Sequence, residues 1–160
     1  MKTSISLIAF LLSALVMPAA AGPGGAGHGH HGDETAYGKP GDPKKPARLV
    51  LVRMGEGDGK MYFSPAVIEV KKGEQIRLKL TNGGELDHEL VLATLEMNLK
   101  HAEEMKKNPD MEHDDPNAKR LAPKKSGDIV WQFTKTGEFD FSCLIPGHRE
   151  AGMTGKIVVK

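Results

Sequence analysis

The chain has 160 residues, with 22 Lys and Arg side chains against 21 Asp and Glu and a formal net charge of +1 at pH 7. This length suits one domain. Because the positive and negative charges nearly cancel, the protein creates no strong field that would attract nucleic acid or anionic lipid, and we expect neither as a partner.

Residues 1–21 have the pattern of a secretory signal peptide. A short basic start, Met1-Lys2, precedes an apolar run from Ile5 to Val16, and small residues follow at positions 19–21. The apolar run is shorter than the roughly 20 residues that a membrane-spanning helix requires. We therefore expect export, cleavage after Ala21 and no membrane anchoring of the mature chain.

Residues 22–46 are rich in Gly, Pro, His and charged side chains and offer almost nothing to bury. This composition predicts a flexible lead. His28, His30 and His31 within it suit weak capture of copper or zinc. The alternative is a solvated tail without a metal.

From residue 47 onward, short runs with alternating apolar side chains are separated by Gly, Pro or Asn. In the clearest run, 75–81, Ile76, Leu78 and Leu80 share one face. Similar runs are 48–54, 61–63, 66–70, 87–92, 129–133, 139–143 and 156–159. About eight short strands indicate an antiparallel sandwich or barrel.

One segment, 95–107, has the composition of a helix instead, and Pro, Asp and Asn residues in 108–117 end it. On a helical wheel, one side carries Leu95, Leu99 and Ala102. A second side carries Met97, His101 and Met105.

If the leucine side packs on the sheet, the second side has no core residues to pack against. Met111 and His113 follow in the next loop. We therefore hypothesise a second, labile Cu(I) site formed by these methionines and histidines. The alternative is that the methionines fill gaps against the sandwich.

The segment 143–153 contains a thiol, an imidazole and a thioether at intervals of five residues, in Cys143, His148 and Met153. Pro146-Gly147 and Gly152 interrupt any regular element, so this segment is a loop. Two soft sulfur donors with a nitrogen favour copper, and a trigonal His₂Cys set with a long axial Met is the blue-copper arrangement. Zinc also accepts Cys and His, but its sites seldom include a thioether.

The fourth ligand is predicted from strand alternation. Period two places Cys143 on the same inward side as Phe139 and Phe141, and it places His88 with Leu90 and Leu92. The alternative for His88 is a core histidine bonded to backbone, and the alternative for Cys143 is a small buried hydrophobe. Their occurrence together with the loop favours a metal site.

The strand ending in Cys143, the C-x4-H-x4-M loop before a final strand, and the upstream His88 resemble the cupredoxins, which include plastocyanin, azurin and pseudoazurin. The loop spacing is similar to that of auracyanin, and the resemblance covers residues 47–160. It implies an all-β Greek-key β-sandwich with one short helical insertion. It also implies one type 1 copper centre, cycling between Cu(I) and Cu(II), with His88, Cys143 and His148 as ligands and Met153 axial.

One residue departs from the family pattern. Glu89 directly follows His88, where many cupredoxins have Asn or Ser. The departure bears on the hydrogen bonding around the thiolate and on the reduction potential.

The segments around His88 and His148, with the inserted helix, also look like those of periplasmic bacterial cupredoxins associated with copper tolerance. The cupredoxin resemblance implies a one-electron carrier in the periplasm, with a redox partner such as a c-type cytochrome. We expect the protein to be a monomer. The alternative is a protein that sequesters or buffers copper with its accessory Met and His side chains. An enzyme such as a copper oxidase or nitrite reductase needs further histidine clusters, so we expect no catalytic residues.

Overall fold

Ten strands and one helix make up the computed structural model, which describes residues 34–109, 111 and 115–160. The strands and the helix are β1 (Lys39–Pro40), β2 (Arg48–Gly57), β3 (Lys60–Ser64), β4 (Val67–Val70), β5 (Gln75–Asn82), β6 (His88–Ala93), α1 (Leu95–Lys107), β7 (Ala118–Leu121), β8 (Ser126–Gln132), β9 (Gly137–Ser142) and β10 (Thr154–Val159).

The strands form two five-stranded sheets. The first has the order β1-β8-β5-β2-β3 and the second has the order β4-β10-β9-β6-β7. Strands β2 and β5 pair in parallel, as do β4 and β10. The predicted sandwich is therefore confirmed, but these two strand pairs are parallel, whereas the sequence indicated an antiparallel arrangement. Side-chain alternation is the same in both kinds of pairing, so it carries no information about strand direction.

The core lies between the two sheets. Ile76, Leu78 and Leu80 are fully buried along β5, as their alternation predicts. Phe63 of the first sheet meets Phe141 of the second edge to face, with ring centroids 5.1 Å apart. Burying side chains of this size stabilises the fold by roughly 1.5–3 kcal/mol each.

Part of the predicted flexible lead is packed on the sandwich. Strand β1 pairs with β8, and the buried Tyr37 stacks on Trp131 with ring centroids 5.4 Å apart. The Trp131 indole N–H donates a hydrogen bond to the Tyr37 carbonyl, 2.8 Å away. The flexible segment predicted over 22–46 therefore extends too far toward the C-terminus. The sequence could not show this packing, because a single aromatic residue in a polar stretch forms no periodic pattern.

Strand β7 was also missed, because residues 118–121 fall between the predicted loop over 108–117 and the next predicted strand, 129–133. Its residues, Ala-Lys-Arg-Leu, bury one large apolar side chain, Leu121. The strand pairs with β6 at the edge of the second sheet, with His88 opposite Leu121. It covers the side of β6 that would otherwise expose unpaired backbone next to His88.

Helix α1 has the bounds that the sequence predicts. The Thr94 hydroxyl caps it by accepting a hydrogen bond from the Met97 N–H, 3.2 Å away. The predicted packing side was wrong, because Leu95 and Leu99 are 53% and 47% exposed. Asn98 and Met105 are buried against the second sheet instead.

None of the helices within the described ranges has both the length and the apolar character needed to cross a lipid bilayer.

Candidate metal centre

The candidate centre lies at one end of the second sheet, where β6 begins and β9 ends. His88 is the first residue of β6 and Cys143 directly follows β9. These two strands are antiparallel neighbours, so the start of one meets the end of the other. The loop of residues 144–153 then crosses this end and returns to β10.

Three side chains converge there, as the sequence predicts. The Nδ1 atom of His148 lies 3.3 Å from the Cys143 Sγ and 3.3 Å from the Nδ1 of His88. The three ligand atoms all lie within 4.8 Å of one another. Among the described residues, this is the only group of three or more His, Cys, Asp or Glu side chains with the spacing of a metal site.

The donor triangle fits a metal ion. Ligands at roughly 2.0–2.3 Å from a central ion in a trigonal arrangement lie roughly 3.5–4 Å apart, close to the observed separations. All three side chains are buried, and His148, with 9% exposure, lies nearest to the surface. Two imidazole nitrogens with one thiolate are a donor set that suits copper.

Met153 closes the loop beside these ligands. Its carbonyl accepts a hydrogen bond from the Cys143 N–H at 3.1 Å, and its own N–H donates to the His148 carbonyl at 3.1 Å. The residue is fully buried. The backbone thus holds Met153 next to both other loop ligands, and its role as the axial ligand stays a prediction.

Two glycines shape this loop. Gly147 and Gly152 have φ values of +90° and +105°, in a region that side-chain-bearing residues rarely adopt. They allow the chain to turn on either side of His148 and to return to β10.

Burial controls the acid–base state of the ligands. It raises the pKa of the Cys143 thiol to about 12, although the Glu89 N–H, 3.5 Å from Sγ, acts in the opposite direction. Burial also lowers the pKa of His148, and nearby His88 adds to this effect. The metal-free site therefore holds a neutral thiol and a neutral imidazole, and binding a metal must release the thiol proton.

Glu89, the departure from the family pattern, joins the two ligand-bearing strands. Its side chain is buried, and its Oε1 accepts a hydrogen bond from the Leu144 N–H at 3.0 Å. Its backbone N–H points to the Cys143 sulfur. The residue thus contacts both Cys143 and the first residue of the ligand loop.

Glu56, at the end of β2, contacts the site and was not identified from the sequence. Its Oε2 lies 2.6 Å from the Nε2 of His88, on the opposite side of the ring from the other ligands. No local pattern marks this residue, because its position depends on how β2 lies beside the loop before β6.

Arg149 was also missed. Its guanidinium pairs with the Asp140 carboxylate, 3.0 Å from Nη1 to Oδ1, and donates a hydrogen bond to the Ser142 hydroxyl. Asn98 of α1 donates to the same carboxylate at 2.7 Å. These polar contacts anchor the residue next to His148 to both β9 and the helix.

The accessory ligands predicted in the helix are only partly brought together. Met97 and His101 lie one turn apart, and Met97 is 49% exposed. Met105 is fully buried and packs with Val91 and Leu144, which favours the alternative that it fills a gap in the core.

The remaining accessory residues stay predictions. Met111 is on the surface of the structure. His113 and the tail residues His28, His30 and His31 lie outside the described residues.

Comparison with known proteins agrees with this site. The sequence profile of the family described as "Copper binding proteins, plastocyanin/azurin family" matches residues 50–160. The copper-resistant cuproprotein CopI of Rubrivivax gelatinosus is 50% identical over 144 residues, covering 84% of this chain and 86% of that protein. The protein of the same name from Pseudomonas aeruginosa is 34% identical, covering 78% of this chain and 83% of its own length.

Solved structures show the same fold. Auracyanin B superposes with a TM-score of 0.62 at 23% identity, covering 78% of this chain and 96% of that chain. Auracyanin A from Chloroflexus aurantiacus gives a TM-score of 0.56 at 17% identity, with 70% of this chain and 99% of that chain covered. By its sequence, its sandwich and its converging His and Cys ligands, the chain belongs to the plastocyanin/azurin family of copper-binding proteins, the cupredoxins.

Proposed function

We propose that this protein is an exported type 1 copper protein that carries single electrons in the periplasm and contributes to copper tolerance. The observation that carries the proposal is the convergence of His88 Nδ1, Cys143 Sγ and His148 Nδ1 at one buried point. Bound copper supplies the one-electron Cu(I)/Cu(II) couple.

The protein contributes a rigid set of ligands. The hydrogen bonds of Glu89 and Arg149 tie the ligand loop to β6 and β9, so the three donors are held before a metal arrives. A fixed ligand set limits the rearrangement that accompanies a change of oxidation state. Electron transfer through such a site therefore needs little motion of the protein.

The route for electrons is through His148. His88 and Cys143 are fully buried, whereas His148 keeps a small exposed fraction of 9% at the ligand loop. A redox partner such as a c-type cytochrome would approach this end of the sandwich. Buried apolar side chains such as Phe141 and Leu144 keep water away from the ligands.

The link to copper tolerance rests on the relatives. Two bacterial proteins at 50% and 34% identity are named copper-resistant cuproproteins. Export rests on the signal-like residues 1–21.

Copper buffering is the second candidate, and the exposed Met97 with His101 one turn later favours it. A gene-deletion strain separates the two functions when it is complemented with wild type, with Cys143→Ser, or with Met97→Leu combined with His101→Gln. We expect the Cys143→Ser strain to lose growth at high copper and the double variant to keep it. The reverse pattern would favour buffering by the helix.

A redox measurement completes the test. We expect the purified, copper-loaded protein to be reduced and reoxidised repeatedly by small donors and acceptors without loss of its visible absorption. Loss of copper upon one cycle would contradict a carrier function.

A further inference from the structure

We propose that Glu56 is the positioning residue for His88: it holds the imidazole with Nδ1 toward the metal and sets how strongly that nitrogen donates electrons. The inference rests on the copper centre described above, and it concerns a residue that lies more than thirty positions upstream of the ligand it contacts.

The contacts of the carboxylate define the protonation of the ring. Oε2 of Glu56 lies 2.6 Å from Nε2 of His88. An ionised carboxylate only accepts hydrogen bonds, so Nε2 carries the proton and the lone pair of Nδ1 is free. That free nitrogen is the one that lies 3.3 Å from the Nδ1 of His148.

The carboxylate is itself held by the loop before β6. Its Oε1 accepts hydrogen bonds from the backbone N–H groups of Leu86, at 3.2 Å, and Glu85. Two backbone donors thus hold one carboxylate oxygen and leave the other, Oε2, directed at the His88 ring. Hydrogen bonds of this kind favour the ionised carboxylate.

The loop makes room for this side chain at Gly84. A Cβ built at this position would overlap the Glu56 carboxylate, and all three of its nearest atoms belong to that group. The residue in conflict is the end of a flexible side chain, so Gly84→Ala would push the carboxylate away from His88 without breaking the strands. The glycine and the glutamate thus form one pocket that places a negative charge behind the ligand.

This arrangement has a consequence for the metal. A carboxylate hydrogen bond raises the basicity of a metal-bound imidazole. A stronger donor and a nearby negative charge stabilise the more highly charged Cu(II) more than Cu(I). Glu56 therefore lowers the reduction potential relative to a site with a neutral hydrogen-bond acceptor.

The test compares Glu56→Gln, Glu56→Ala and Gly84→Ala. Glutamine keeps an acceptor for Nε2–H but removes the charge, so we expect an unchanged His88 tautomer and visible spectrum. We expect the ratio of the Cu(II) to Cu(I) dissociation constants to rise on the order of tenfold, which is about 59 mV in reduction potential for a one-electron couple. Glu56→Ala and Gly84→Ala both lose the contact, and we expect Cu(II) affinity to fall about 10- to 100-fold.

Asp87→Asn is the matched control. Asp87 precedes His88 and carries an exposed carboxylate paired with Arg120 at 3.2 Å, and its charge acts on His148. Its carboxylate makes no hydrogen bond to the His88 ring among the described residues, so we expect a smaller shift of potential and no change of tautomer or Cu(II) affinity. If Glu56→Ala and Gly84→Ala only reproduced the Asp87→Asn result, Glu56 would act as a distant charge and the positioning role would be overturned.

Nitrogen NMR of the metal-free protein tests the inference independently of copper. We expect His88 to be protonated at Nε2 in wild type and in Glu56→Gln, and to become a mixture of tautomers in Glu56→Ala and Gly84→Ala. The same tautomer ratio in all four proteins would overturn the inference. Failure of the wild type to bind copper would instead contradict the proposed function.

Discussion

The Leu144 N–H donates a hydrogen bond to the Glu89 carboxylate, 3.0 Å from nitrogen to Oε1, and so joins the residue after His88 to the residue after Cys143. Both residues are buried, so no water replaces this bond if it is lost. The contact fixes the spacing of two metal ligands that are 55 positions apart along the chain.

Removing this acceptor should destabilise the protein. In Glu89→Ala the Leu144 N–H is buried without its partner, which costs about 1–3 kcal/mol. In Glu89→Gln an oxygen acceptor remains, and we expect a smaller loss. Denaturant unfolding of the metal-free proteins measures both. Equal losses for the two variants would mean that the hydrogen bond contributes nothing beyond packing.

The Arg149–Asp140 pair should hold the ligand loop on β9. The two side chains are 17% and 10% exposed, so breaking the pair leaves a largely buried charge. We expect Arg149→Met to lower the free energy of unfolding by about 2–3 kcal/mol. A double-mutant cycle with Asp140→Asn should show a loss smaller than the sum of the single losses.

Lys106→Met is the control for this pair. Lys106 forms an exposed ion pair with Glu150 on the same loop, 3.4 Å apart. Exposed pairs of this kind contribute little, and we expect no measurable change in stability. Additive losses in the Arg149 and Asp140 cycle would show that the two side chains act separately.

Tyr37 should anchor the segment before β2. In Tyr37→Ala the ring that stacks on Trp131 is lost, which we expect to cost about 3 kcal/mol of unfolding free energy, as for other large aromatic truncations. Tyr37→Phe keeps the stacked ring and loses only the contacts of the hydroxyl, which include Asn117, 3.3 Å away, and Thr35. Equal stability of wild type and Tyr37→Ala would contradict the docking of this segment.

The Cys143 thiol should make the metal-free protein sensitive to alkali. Its pKa rises from 9.0 to about 12 on folding, so the folded state holds this proton more tightly than the unfolded state. The resulting stability is fully present below the unfolded pKa of 9.0 and is lost as the pH rises toward 12. In this window the loss is about 1.4 kcal/mol per pH unit.

The measurement is the unfolding free energy of reduced wild type and of Cys143→Ala from neutral to alkaline pH. The raised pKa of Tyr37 contributes equally to both proteins and cancels in the difference. We expect the advantage of wild type over Cys143→Ala to shrink above about pH 9. A constant difference would show that the thiol does not titrate as its burial requires.

The sequence predicts the ligands because they lie in short patterns. Period-two alternation places His88 and Cys143 on inward faces, and the five-residue spacing of the loop marks His148. The structure confirms that these three side chains meet.

The supporting residues could not be found in the same way. Glu56 meets His88 only because the end of β2 lies beside the loop before β6, and no spacing along the chain encodes that approach. The predicted orientation of helix α1 was wrong, because its apolar side was expected to face the sheet. Asn98 is buried there instead, since it donates hydrogen bonds to Asp140 and to the Val91 carbonyl.

The most direct test of the metal centre is copper K-edge X-ray absorption on the protein loaded with one equivalent of copper, compared with Cys143→Ser. We expect two nitrogen ligands at about 2.0 Å and one sulfur at about 2.2–2.3 Å in wild type, and loss of the short sulfur distance in the variant. A wild-type spectrum with only nitrogen and oxygen ligands would contradict the convergence of His88, Cys143 and His148 on one copper ion.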